Sequence, residues 1–210
     1  MMAIKNNQYV SAKMLLELGA NPNTGDTYRG TSAMILAAKS ESPSFLKLLL
    51  DYNGNPNSIE TAPAKPFDEA RETVLNAAIT IAGDSSLQKV KLLVEAGADL
   101  NFYRERNTQL PLAKAIILNQ MDIALFLLEN GADYRLKMWT SPDGCVVYIL
   151  EALRSSPIKL YSNQHKHKMD IVSFLRERNL DYYREPVPEF VVNDIKELYP
   201  NDWRDYIRSY

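Results

Sequence analysis

KLLVEAGADLN, Lys91 to Asn101, is the stretch whose reading decides the fold. It ends an apolar-periodic helix, turns at a Gly, and runs on into a short polar segment. MLLELGANPN (Met14–Asn23), LLLDYNGNPN (Leu48–Asn57), FLLENGADYR (Phe126–Arg135) and FLRERNLDYY (Phe174–Tyr183) are altered copies of it. The Gly or Asn after each helix is expected in the left-handed conformation, where a residue with a Cβ is strained. A unit recurring at this spacing fixes the architecture before any local detail.

A second element recurs upstream of these copies. It reads GTSAMILAAKS (Gly30–Ser40), TVLNAAITIA (Thr73–Ala82), LPLAKAIILN (Leu110–Asn119) and, more weakly, GCVVYILEAL (Gly144–Leu153). The pair resembles the ankyrin repeat, with its TPLHxAA opening helix and LLxxGADxN closing helix. The resemblance implies an all-α solenoid of about five helix-turn-helix repeats over residues 1–183. Residues 184–210 would form a C-terminal helical cap. No copy keeps the family histidine of TPLH. Ile35, Asn76 and Ala113 stand there, which puts the inter-repeat hydrogen bond made by that histidine in doubt.

The cap residues Gly19, Asn53, Gly97, Gly131 and Asn179 lie 34, 44, 34 and 48 residues apart. The ankyrin period is about 33, so two intervals carry insertions. One covers residues 58–72, holds Pro63 and Pro66, and reads as a lengthened finger. The other covers residues 155–168. There Ser155-Ser156-Pro157 stops the opening helix, and His165-Lys166-His167-Lys168 leads to a closing helix at Met169. The leucine pairs Leu15/Leu16, Leu49/Leu50, Leu92/Leu93 and Leu127/Leu128 are expected to be buried. Met1 falls in the middle of the first opening helix. Preceding residues, including a leader, are therefore expected in the natural protein; the alternative is a first helix that starts late. After Tyr183, Pro186 and Pro188 break the pattern. Two short helices follow, a cap in one reading and a partner-binding tail exposing Trp203 and Tyr206 in the other.

The composition, 46% hydrophobic and 24% charged over 210 residues, suits an ordinary folded domain with a continuous core. A net charge of −2 lacks the basic surplus of a general nucleic-acid binder, so no nucleic acid is expected as partner. No run is apolar enough for a membrane span. The single cysteine, Cys145, excludes an intrachain disulfide and leaves the compartment open. It is read as a buried, inert thiol. No catalytic constellation, cofactor motif or metal site is found. Gly83-Asp84-Ser85-Ser86-Leu87 lacks the last glycine of a nucleophile elbow. His165 and His167 read as part of a solvated polar insert rather than a metal site.

Surface recognition remains. The fingers carry Tyr28, Arg29, Tyr103, Arg104, Arg106, Met138 and Trp139, the residue types that dominate binding energy at protein interfaces. On the concave side, Lys39, Thr80, Ile81, Ile117 and Leu118 follow the paired-alanine slot. Ile81, Ile117 and Leu118 form an apolar patch, either a binding site or a surface covered by the inserts. These positions, Thr80 apart, are the candidate partner-binding residues.

The segments SAMILAAKSESPSFLKLLLDYNGNPN, VKLLVEAGADLNF and NQMDIALFLLENGADYRLK resemble a narrower group of bacterial ankyrin proteins. That group is encoded beside toxins delivered by contact-dependent secretion, including type VI lipase effectors. The resemblance implies a non-enzymatic immunity protein, monomeric when unbound. It would bind its cognate toxin in the periplasm, or alternatively in the cytoplasm. An adaptor or secreted effector engaging a host protein is the other reading.

Overall fold

A computed structural model describes the chain except residues 27–29, 62–70, 81–82, 84 and 103–108. The chain divides into two units, Met1–Lys114 and Ala115–Tyr210. The first holds α1 (Met2–Lys5), α2 (Tyr9–Glu17), α3 (Ala33–Ala38), α4 (Ser44–Asp51), α5 (Val74–Thr80) and α6 (Ser86–Glu95). Helix α7 (Pro111–Ile117) runs across the division. The second holds α8 (Met121–Glu129), a hairpin of β1 (Trp139–Thr140) and β2 (Val146–Val147), α9 (Ile149–Arg154) and α10 (Asn163–Arg176). A 3-10 turn at Tyr182–Arg184, α11 (Glu189–Leu198) and α12 (Trp203–Ser209) complete it. These are the paired helices of an ankyrin-repeat fold.

All five cap residues take the left-handed conformation, with φ of 89° at Gly19, 63° at Asn53, 84° at Gly97, 99° at Gly131 and 64° at Asn179. Each ends a helix that would otherwise leave its last carbonyls unsatisfied. Opening helices begin on hydroxyl caps: Ser32 Oγ accepts from the Ile35 amide at 3.2 Å, and Thr73 Oγ1 from the Asn76 amide at 3.1 Å. Asparagines then tie one turn to the next. Asn23 Nδ2 donates to the Asn53 carbonyl at 3.1 Å while its Oδ1 accepts from the Asn55 amide at 2.6 Å. Asn57 repeats the two bonds on the Gly97 carbonyl and the Asp99 amide, at 3.1 and 2.7 Å. The Asn76 side chain at the histidine position donates to the Gln109 carbonyl at 2.6 Å. The shorter amide thus supplies a long-range bond at the slot where the family histidine is missing.

The leucine pairs do not all bury. Adjacent helical residues point about 100° apart, so the two members of a pair cannot face the same neighbour. The position four before each cap is the inward one. Leu49 is 4% exposed there, and Leu93, Leu127 and Leu175 are fully buried. Leu15, its counterpart in the first pair, is half exposed. Leu50 and Leu92 are only partly buried, whereas Leu16 and Leu128 are inside.

Gly54 stands where Ala20, Ala98 and Ala132 follow three of the other four caps. Its space is filled: a Cβ would lie 2.7 Å from the Leu49 carbonyl oxygen and closer still to the buried Met34 sulfur. Gly54→Ala is therefore expected to lower stability by about 1–3 kcal/mol in urea denaturation, although alanine fits the other repeats. Shortening Met34 in the same chain should recover part of the loss.

The second unit departs from the expected element bounds. His165, Lys166, His167 and Lys168 do not lead into a helix at Met169; they lie inside α10, which starts at Asn163. Ser162 caps it, its Oγ accepting from the His165 amide at 3.2 Å. Gln164 in the first turn reaches back to α8. Its Oε1 accepts from the Met121 and Asp122 amides at 2.6 and 3.2 Å, and its Nε2 donates to Asp122 Oδ1 at 3.0 Å. This one amide caps the α8 N-terminus across more than 40 residues of sequence. Val191, Ile195, Tyr206 and Tyr210 form a small core against which Leu160, Val187, Tyr199, Trp203 and Ile207 pack. Tyr206 is therefore inside and not displayed on a tail.

Candidate partner-binding surface

Of the candidate binding residues, Tyr28, Arg29, Ile81, Tyr103, Arg104 and Arg106 lie outside the described residues. The described parts of the fingers close by strand-like pairing, Gly25 with Ser32 and Ile59 with Thr73. The complete hairpin is β1–β2, in register Trp139 with Val147 and Thr140 with Val146. Side chains alternate along a strand, so of Met138 and Trp139 one must turn inward. Met138 is the inward one, 3% exposed, and its amide donates to the Val147 carbonyl at 2.9 Å. It is withdrawn as a contact residue. Trp139 is partly exposed.

The turn of this hairpin also corrects the cysteine. Cys145 is exposed, not buried. Gly144 takes φ 89°, Ser141 Oγ hydrogen-bonds to the Asp143 carboxylate, and the Ser141 amide donates to the Cys145 carbonyl at 2.8 Å. The Asp143 carboxylate beside the thiol pushes its pKa up. An accessible cysteine is thereby kept protonated and slow to react.

In the first unit, Lys39 does not stand alone. Its Nζ lies 2.5 Å from Glu72 Oε2, while Lys114 Nζ lies 3.0 Å from Glu72 Oε1 and Thr80 Oγ1 donates to the same oxygen at 2.9 Å. One carboxylate therefore gathers groups from the ends of α3 and α5 and from α7. Burial alone would raise the Glu72 carboxyl; the ammoniums of Lys39 and Lys114 outweigh it and hold the group below the usual carboxylate range. Because the folded pKa is depressed, the stabilisation is present above the unfolded value and is lost as pH falls through the folded one. Glu72→Gln should cost about 1–2 kcal/mol at pH 7, because it leaves two ammoniums facing each other. The difference from the parent should shrink toward zero in urea titrations below about pH 4.

In the second unit the end of α7 leaves Ile117 46% and Leu118 41% exposed, just before the left-handed Asn119. Sequence reasoning had no route to Glu72 as the organiser of Lys39. Its position at the end of the 58–72 insert made it read as part of a polar segment. Ser85 of the elbow-like segment donates its hydroxyl to the Glu41 carbonyl at 2.6 Å and stands at the start of a helix, not after a strand. Among the described residues no group of His, Cys, Asp and Glu could hold a metal ion, and no helix is long and apolar enough to cross a membrane.

Residues 1–99 match the family model for ankyrin repeats, in three copies. "Ankyrin repeat and KH domain-containing protein mask-1" of Caenorhabditis elegans is 28% identical over a 194-residue alignment, which covers 68% of this chain and 7% of that protein. "B-cell lymphoma 3 protein homolog" of Mus musculus is 30% identical over 129 residues, covering 61% of this chain and 27% of its own length. The chain thus spans a small part of the curated relatives it matches. Among solved structures, the ankyrin repeat domain of Bcl-3, a member of the IkappaB protein family, superposes with a TM-score of 0.57 at 22% identity, over 85% of this chain and 68% of that one. The fold is that of an ankyrin-repeat domain.

Proposed function

We propose that this protein is an immunity protein that binds and neutralises a cognate bacterial toxin, a lipase effector of the type VI secretion system, in the periplasm. Its contacts would be made by the fingers and the inner helix ends: Tyr28, Arg29, Lys39, Ile81, Tyr103, Arg104, Arg106, Ile117, Leu118 and Trp139. The observation that carries a binding role is the bare apolar pair Ile117 and Leu118 at the end of α7. Adjacent exposed apolar side chains on an interaction scaffold are what a partner covers. The choice of a toxin as partner is supported by the resemblance of Ser32–Asn57, Val90–Phe102 and Asn119–Lys137 to immunity proteins.

The test mixes the protein with the product of the neighbouring toxin gene. A complex on gel filtration with loss of toxin activity is expected. The double variant Ile117→Asp, Leu118→Asp should weaken that complex more than about ten-fold, since it places two charges in a desolvated contact. No complex and undiminished toxin activity would remove this reading in favour of an adaptor that engages a different protein.

A further inference from the structure

Helix α2 is apolar on two opposite sides. On its inner side Ala12 and Leu16 are buried, and the Tyr9 ring centre lies 5.6 Å from that of Phe45. On its outer side Val10, Met14 and Leu18, each four residues from the next, are 71%, 55% and 82% exposed. At about 100° per residue these three lie within about 80° of one another and face away from Ala12 and Leu16. Leu15, beside Met14, is half exposed.

This row differs from the face by which the other repeats stack. Counted back from the caps, the slot eight residues before holds Phe45, Lys89, Ile123 and Ile171, all buried; in α2 it is the exposed Ser11. The slot nine before the cap holds Ser44, Gln88, Asp122 and Asp170 elsewhere, and Val10 in α2. The slot one before holds Tyr52, Ala96, Asn130 and Arg178 elsewhere, and Leu18 in α2. A helical pair stacked in repeat register would meet Ser11 where an apolar side chain is needed. The apolar surface of α2 lies instead along one ridge of residues four apart.

We propose that the Val10–Met14–Leu18 ridge is the contact by which two copies of this chain pair about a two-fold axis. The ridge is its own complement, as such a contact requires. An antiparallel crossing centred on Met14 sets Met14 against its counterpart, and each Val10 against Leu18 of the other copy. Ridges of residues four apart interdigitate when two helices cross at about 50°. The same crossing brings Glu17 toward Ser11 of the other copy and Lys13 toward its Leu15, so no like charges are opposed. Lys13 and Glu17 meet within one helix at 3.7 Å. Val10, Met14, Leu15 and Leu18 offer about 450 Å² of apolar surface per copy, close to the apolar share of the roughly 800 Å² that a standard interface takes from each partner. No finger residue is used, so the pairing is independent of what the fingers bind. It replaces the monomer that the narrower resemblance implies.

Sedimentation equilibrium of the full chain from about 1 to about 500 µM should show a dimer forming with a Kd of about 10–100 µM, as suits an interface at the small end of the range. Met14→Glu sets two carboxylates together on the axis and should raise that Kd about thirty-fold or more. Its melting temperature, read at about 1 µM where the parent is unpaired, should stay within about 2 °C of the parent's, because Met14 is exposed in the single chain. Mixing tests the geometry. Val10→Lys chains and Leu18→Glu chains should each self-associate about ten-fold more weakly than the parent. They should pair with each other about ten-fold more tightly than with themselves, because the crossing joins the introduced ammonium to the introduced carboxylate. A single-chain mass at every concentration up to about 500 µM overturns the proposal. So does a dimer that Met14→Glu leaves intact, or a mixture with no preference for the mixed pair.

Discussion

Replacing Arg154 by methionine should lower the stability of the full chain by about 2–4 kcal/mol in urea unfolding. Arg154 is 4% exposed. Its Nε donates to the Tyr182 carbonyl at 3.2 Å, and a terminal nitrogen donates to the Tyr210 main-chain oxygen at 2.8 Å. Its plane also lies against the Tyr182 ring. The guanidinium therefore ties α9 to the 3-10 turn and to the residue following α12. Methionine fills much of the volume but leaves both oxygens unpaired in a buried site, and an unmade bond costs more than a made one contributes. Tyr210 should respond in parallel, because its hydroxyl donates to the Arg154 carbonyl at 2.9 Å.

Lys168→Met should behave differently. Lys168 is fully buried, donates to the Ser156 carbonyl at 3.2 Å and lies over the Tyr210 ring. Burial, and then the neighbouring Arg154 charge, push its pKa well down. The folded state thus holds fewer protons than the unfolded chain between the lowered folded pKa and the ordinary lysine value. Stability should rise with pH across that window. Above about pH 10 the tyrosines reverse the slope. Tyr206 is pushed up to about 12 by burial and by Tyr199, so the folded state keeps a proton that the unfolded chain releases. The methionine variant should lose less stability than Arg154→Met at pH 7 and show a flatter rise toward pH 10. An equal pH slope in parent and variant would show that the ammonium stays charged in its aromatic slot.

The parts of this fold that were legible in sequence are those carried by local chemistry repeated in register. The five left-handed caps follow from Gly or Asn after an apolar helix, and the stop at Ser155 follows from Pro157. What was not legible depends on partners far along the chain. HKHK looks like a solvated insert, because nothing local says that Lys168 meets the ring of Tyr210. Cys145 reads as buried because it falls on the opening side of the fifth repeat, yet the Ser141–Cys145 turn lifts it out. The leucine pairs read as uniformly buried because sequence shows apolarity and not which side of a helix has a neighbour. Alternation along β1 was in principle readable, and it would have separated Met138 from Trp139.

Lys89→Ile tests the first unit in the same way. Counted back from the caps, Lys89 occupies the slot of Phe45, Ile123 and Ile171, which are 2%, 1% and 0% exposed. By repeat register isoleucine is the favoured residue there, and substitution toward the register is a common route to higher stability. The opposite is expected. Lys89 is fully buried, and its Nζ donates to the Ala38 carbonyl at 2.9 Å and to the Ser40 carbonyl at 3.0 Å. Both lie at the C-terminal end of α3, where carbonyls lack helical partners and the helix dipole favours a cation. Burial lowers the lysine pKa, so part of the interaction is offset by desolvation. Removing the charge that serves both carbonyls still outweighs that relief, and a loss of about 2–4 kcal/mol is expected in urea unfolding at pH 7. The two outcomes are opposite in sign: a Lys89→Ile chain more stable than the parent would mean that apolar register, and not carbonyl capping, sets the energy of this slot.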